Sequence, residues 1–272
     1  SGSGDTQYNQ KILKTLLDLP ETNFHGYTKS NLDSKVDLII QNNKVVKEVS
    51  KGEQAQIISN ETIFYAESGG QISDNGNIIG DNCKAKVLHS KKLKLSSGKV
   101  IYLTFVEITD GSLLSGQKIT QKIDIELRKQ ICAHHSATHL LHEALRQKLG
   151  LHVAQKGSLV TSDKLRFDFS HNKSLTLNEI KAIEDQVNHR IFCNDNVVTE
   201  IMTPTDAAKT GAIALFGEKY GEEVRVVSIG KSVDGNRNAW SVEFCGGTHV
   251  KNTSEISSFK INSDIGISSG VR

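Results

Sequence analysis

The sequence predicts an α+β fold in two parts: a β-rich half of small-barrel character, followed by a half in which helices and strands are mixed. Three observations carry this. A helical stripe near the start stops at Pro20. Short strand-like runs separated by turn residues fill positions 24 to 125. Helical spacing then returns from about residue 126.

Within residues 5–23, read as a linker helix, Ile12, Leu13, Leu16, Leu17 and Leu19 share one helical face ahead of the proline. The runs at 36–40, 55–58, 85–88 and 100–105 follow, separated by Gln41-Asn42-Asn43, Asp74-Asn75-Gly76, Ser96-Ser97-Gly98 and Asp110-Gly111. Short strands at this spacing suggest a small barrel or sandwich over 24–125. The lysine-rich stretch 91–99 reads as a solvated hairpin.

From Ile131 to Leu149 apolar residues recur at helical spacing, and Gly150 supplies the stop. A strand at 164–169 precedes a helix near 176–191, which opens with Thr176 and Glu179 in the spacing of a capping box. A shorter helix is expected around 206–209, then strands at 224–229 and 239–244. The core is thus assigned to 126–272.

Composition narrows the function classes. The 272 residues hold 33 Lys and Arg against 31 Asp and Glu, a net charge of +2, which excludes a binder driven by bulk charge. With 37% hydrophobic and 24% charged residues the chain is not disordered, and it has no apolar run long enough for a membrane span. Four cysteines are too few and too scattered for a disulfide framework, so a reducing, cytoplasmic setting is expected. Ser1-Gly2-Ser3-Gly4 reads as a cloning scar, and both ends read as cuts in a longer protein.

Two motifs point to a metal. His135 and His139 are four apart, so one helix face offers two imidazoles a turn apart. With 10 histidines in the chain, such a pair alone is weak evidence. Cys245-Gly246-Gly247-Thr248-His249 follows a strand, and its glycines let the backbone aim a thiolate and an imidazole at one point. Together they make a His₃Cys set suited to zinc. Four ligands ordinarily mark a closed, structural site, but a cleft-lining site with one loosely held ligand fits the pattern too. Cys132 is a weak alternative ligand; it, Cys83 and Cys193 read as core residues.

Two further stretches carry polar groups. Phe64-Tyr65-Ala66-Glu67-Ser68-Gly69-Gly70-Gln71 closes a strand, its glycine pair allowing close backbone approach. By itself a turn with solvated side chains is its plainer reading. Gln155 and Lys156 precede Leu165-Arg166-Phe167-Asp168-Phe169, a half-buried strand with Arg166 and Asp168 outward.

These segments resemble the editing domain of alanyl-tRNA synthetases of bacterial type. His-Ser-Ala-Thr-His-Leu-Leu-His at 135–142, Gln-Lys-Gly-Ser-Leu-Val at 155–160 and Leu-Arg-Phe-Asp-Phe-Ser-His at 165–171 carry the likeness. So do 64–71, Ala-Leu-Phe-Gly-Glu-Lys-Tyr at 214–220 and Cys-Gly-Gly-Thr-His at 245–249. The likeness runs from about residue 24 to the end.

It implies a small β-barrel subdomain packed on an α+β zinc-containing editing core. That core would hydrolyse seryl- and glycyl-tRNA(Ala) made in error. His135, His139, Cys245 and His249 would hold Zn2+. Gln155 and Cys245 would serve catalysis, with Glu67, Gln71, Gln155 and Thr248 around the substrate. Lys156 and Arg166, with Lys164 and Arg128 as further candidates, would meet tRNA phosphates.

The partners implied are tRNA(Ala) and other domains of the same synthetase, with neither DNA nor a membrane. ATP and Mg2+ would belong to the full-length enzyme rather than to this segment. Two alternatives stand beside this reading: a non-catalytic zinc module that docks tRNA, and a hydrolase of small esters or amides.

Overall fold

The computed structural model describes residues 8–214, 221–230 and 239–272. The expected motif at 214–220 therefore falls almost wholly outside the described residues, as do residues 1–7. The chain divides into two compact units, Ser1–Glu67 with Ile72–Arg128, and Ser68–Gln71 with Lys129–Arg272.

In the first unit, α1 (Gln10–Asp18) starts where the Asn9 side chain accepts the Ile12 N–H at 3.0 Å. Its Ile12 and Leu16 pack with Leu38, Ile40, Ile58, Ile101 and Leu103. The strands are β1 (Asn23–Phe24), β2 (Asn31–Lys35), β3 (Leu38–Gln41), β4 (Lys44–Val46), β5 (Glu48–Ser50), β6 (Gln54–Ile58) and β7 (Glu61–Thr62). They continue as β8 (Gly76–Gly80), β9 (Cys83–Lys94), β10 (Val100–Leu114) and β11 (Lys118–Ile123).

One antiparallel path runs β2-β11-β8-β9-β10-β6-β3-β4, with β5 also on β10. Alternation puts Ile57, Ile78, Val87, Val106, Ile108 and Ile119 into one core. The hairpin β3–β4 turns at Asn42 and Asn43, both at positive φ, as a two-residue turn of matching twist requires.

The sheet is not the closed barrel expected from the strand spacing. β2 and β4 end the path without pairing with each other. β4 is only three residues long, and the chain then leaves for β5, which pairs with Ser112–Leu114 of β10. The chain beyond β4 thus pairs with β10 instead of extending the edge toward β2. The stretch 64–71 is not the end of a strand either. Just beyond β7, residues 63–66 are irregular and buried, and side chains satisfy their backbone: Gln121 Oε1 accepts the Ile63 N–H at 3.1 Å and Asp74 Oδ2 the Tyr65 N–H at 2.7 Å.

The second unit is built on α2 (Ile125–Leu149), α3 (Leu177–Phe192) and the short α4 (Pro204–Lys209). The expected capping box is present at Thr176 and Glu179. β12 (Gln155–Val160) pairs antiparallel with β13 (Leu165–Phe169), while β14 (Val197–Met202), β15 (Val224–Ile229) and β16 (Ser241–Phe244) form an antiparallel sheet. Leu140, Ala144 and Leu145 of α2 pack with Ile183 and Val187 of α3 and with Val227, Ile229 and Trp240. No helix among the described residues is long and apolar enough to cross a membrane.

Candidate metal centre

Two elements of the second unit supply the centre. On α2, positions 132, 135, 139 and 142 fall on one face. On β16, Ser241 and Glu243 point to the same side as Cys245 just beyond the strand, because alternate residues share a face. Helix and loop bring His135, His139, Cys245 and His249 together, with one ligand atom of each within 4.8 Å of the others. His135 and His139 are buried; Cys245 and His249 are partly open.

The spacing suits a tetrahedral ion. Cys245 Sγ lies 3.4 Å from His135 Nε2 and 3.3 Å from His249 Nε2. Zinc–sulfur and zinc–nitrogen bonds of ordinary length at a tetrahedral angle would separate such atoms by about 3.5 Å.

The outer ring nitrogens are also placed for a metal. His135 Nδ1 donates to Gln71 Oε1 at 2.7 Å, His249 Nδ1 meets Ser136 Oγ at 3.0 Å, and His139 Nδ1 lies 3.3 Å from Glu243 Oε2. The contacts of His135 and His249 leave their Nε2 atoms facing Cys245, the support that metal-binding histidines ordinarily have, whereas His139 Nδ1 lies near the Glu243 carboxylate without a hydrogen bond to it. The other Glu243 oxygen accepts from His142 Nδ1.

Charge follows from burial. Burial, with His139 alongside, pushes His135 down to about 3. Burial likewise lowers His139, although Glu243 pulls the other way, and holds His249 well below its usual range beside His135. Burial would raise Glu243, but His139 and His142 outweigh it and hold its carboxyl down to about 2. Three neutral imidazoles beside an anionic carboxylate make a ligand set ready for a cation.

The glycine turn is sterically required. A Cβ at Gly247 would stand 2.0 Å from His135 Cε1 and 2.9 Å from Gln71 Oε1. Arg225 braces the turn, donating from Nη1 to the carbonyls of Cys245 at 2.9 Å and Gly247 at 2.7 Å.

The remaining expected site residues differ in their surroundings. Thr248 is buried beside the centre, its Oγ1 accepting from Gln71 Nε2 at 2.8 Å and facing Cys132 Sγ at 3.3 Å. Gln155 opens β12 opposite Phe169, half-buried and with no hydrogen bond to the cluster. Glu67 is exposed in the first unit, its N–H bonded to Ser90 O at 3.1 Å.

Lys156 is exposed, and Arg166 pairs with Asp168 at 3.1 Å. Asp168 is buried rather than outward. Arg128 is no solvated charge: it donates to Asp74 Oδ1 at 2.7 Å and to the Gly26 carbonyl at 2.6 Å. Cys83 and Cys132 are buried as expected, but Cys193 is exposed.

Sequence reading did not single out Glu243, Ser136, His142 or Arg225. A signal existed for Glu243, which stands two residues before Cys245 on a strand, and for His142, a turn beyond His139. A separate cavity of about 760 Å³ lies against the opposite side of α2, lined by Leu141, Leu145, Phe167, Phe169, Phe259 and Ile261 among others. Arg166 and Lys164 border it; the four cluster residues do not.

Comparison with known proteins agrees with the motifs. Residues 2–127 match the family of tRNA synthetases class II (A), so the likeness starts well before residue 24. Residues 224–272 match the threonyl and alanyl tRNA synthetase second additional domain. Over its whole length the chain is 44% identical to an alanine–tRNA ligase of Sinorhizobium medicae strain WSM419. It is 46% identical, again over its whole length, to an alanine–tRNA ligase of Ruegeria sp. strain TM1040. It spans 30% of the length of each of these relatives. The chain is thus similar over its whole length to one segment of alanine–tRNA ligases, and its match to the second additional domain includes the strand and turn that carry Cys245 and His249.

Proposed function

We propose that this chain is an editing segment that hydrolyses the ester of serine, or of glycine, attached to tRNA(Ala). The observation that carries the reading is the convergence of three imidazoles and one thiol within 4.8 Å, in a chain related throughout to alanine–tRNA ligases.

The task has a physical rationale. A site for alanine cannot sterically exclude glycine, and one methyl group supplies only about 1–3 kcal/mol of discrimination. Serine adds a hydroxyl that an apolar pocket rejects poorly. A second site able to hydrogen-bond that hydroxyl, and offering nothing to a methyl, restores accuracy.

His135, His139, Cys245 and His249 would hold Zn2+, with Gln71, Glu243 and Ser136 fixing the rings. When bound, zinc supplies a Lewis-acid centre beside the ester. In the hydrolysis, water oxygen bonds to the ester carbon, the bond to the ribose oxygen breaks, and that oxygen leaves with a proton. Thr248 and Gln155 would position the aminoacyl group, with Glu67 a further candidate. Lys156 and Arg166 would meet phosphates, Arg166 exchanging part of its pairing with Asp168.

The test is the rate at which this chain deacylates seryl-tRNA(Ala) and alanyl-tRNA(Ala), with and without a chelator. Loss of serine but not alanine, abolished by metal removal, is expected. Complete ligation by four protein groups also suits a structural site. Unchanged ester lifetimes with retained tRNA binding would favour a docking module instead. Turnover of a small amino-acid ester without tRNA would favour a general esterase.

A further inference from the structure

Gln71 is fully buried, yet it comes from a stretch of sequence otherwise given to the β-rich half. With Ser68, Gly69 and Gly70 it counts among the residues of the second unit. The segment is fastened there by its backbone. Val160 N–H donates to Gly70 O at 2.8 Å, and Gln71 bridges to Val160. Gly70 sits at φ +84°, and a Cβ on it would stand 2.5 Å from Ser158 O, so only glycine fits. The glycine pair read in the sequence as a turn thus seats one glutamine.

The side-chain amide of that glutamine is committed on both ends. Oε1 accepts from His135 Nδ1 at 2.7 Å and from Thr248 N–H at 2.9 Å, while Nε2 donates to Thr248 Oγ1 at 2.8 Å. An oxygen that accepts the His135 Nδ1 hydrogen selects the tautomer whose Nε2 lone pair faces Cys245. The same oxygen holds the backbone of the turn between Cys245 and His249.

We propose that Gln71 is a positioning residue for the metal centre, acting through His135 and the 245–249 turn rather than on the substrate. It ties the ligand helix and the ligand turn into one unit. This rests on the reading of the cluster as a metal site.

The experiment uses the full chain and Co2+ as the probe, whose visible bands report tetrahedral geometry and thiolate ligation. Affinity is measured by chelator competition for the parent, Gln71→Ala and Gln71→Glu. Removal of such an outer contact typically weakens metal binding about 10–100-fold, and this is expected for Gln71→Ala, with altered bands. Gln71→Glu keeps an acceptor for His135 and should restore affinity to within about threefold, as that contact is retained.

Equal weakening by both variants, with parental bands, would make Gln71 merely part of the packing and overturn the proposal. So would parental affinity in Gln71→Ala. Failure of the parent chain itself to give a thiolate-ligated Co2+ spectrum would instead bring down the metal reading, and the proposal with it.

Discussion

Glu243 Oε2 stands 3.3 Å from Nδ1 of His139, a charge contact without a hydrogen bond, so the strand that leads into Cys245 also faces a candidate ligand on the helix. Strand alternation makes this economical, since residues 243 and 245 leave the same face. One short β-strand would thus contribute one ligand of the proposed centre and a charged neighbour for another.

Glu243→Gln should therefore weaken metal binding about 10–100-fold, the usual cost of losing a carboxylate behind a metal-bound imidazole. Chelator competition with Co2+ measures it. Parental affinity would mean that packing alone holds His139.

Cys245→Ala removes the single thiol of the cluster. Thiolate-to-cobalt absorption should vanish, and deacylation of seryl-tRNA(Ala) should fall at least about tenfold if the metal takes part in transition-state stabilisation. Parental rates in this variant would take Cys245 out of the mechanism.

Gly247→Ala places a methyl 2.0 Å from His135 Cε1 and 2.3 Å from Nδ1. The ring must rotate or the turn must shift, and either change disturbs the ligand geometry. Metal affinity is expected to drop by more than about tenfold, comparable to loss of an outer contact, with the circular-dichroism spectrum retained. An unperturbed cobalt spectrum would show that the turn yields freely.

Stability of the metal-free protein should depend on pH through the buried histidines. Their folded-state values are lowered from 6.5, His135 to about 3, so the unfolded chain takes up protons first as pH falls. The stabilisation is complete above about 6.5 and is lost as pH falls below it, at up to about 1.4 kcal/mol per pH unit for each histidine involved. Urea midpoints with chelator present should be lower at pH 5.5 than at pH 7.5. A flat or opposite trend would show that these imidazoles are hydrated in the metal-free state.

Much of this organisation is legible in local pattern. The capping box at Thr176, the strand at Val224–Ile229 and the helix at Ile125–Leu149 each depend on residues only a few positions apart. The His135–His139 pair and the Cys245–His249 turn are likewise local.

What pattern could not reveal is long-range. β14 lacks the alternation that marks a half-buried strand: four of its six residues, Val198 to Ile201, are exposed in succession. β2 is Asn-Leu-Asp-Ser-Lys, too polar to stand out. Closure of the first-unit sheet turns on which edges meet, and no periodicity states that. Gln71 takes its place through His135, Val160 and Thr248, the last 177 positions away.

That separation bears on the order in which the centre can be assembled as the chain is synthesised. Gln71 emerges first and the helix with His135 and His139 next, so two imidazoles exist well before a thiolate can join them. If the proposed centre binds a metal, capture of the ion in final form must await emergence of residues 245–249, which would make loading a late event of synthesis.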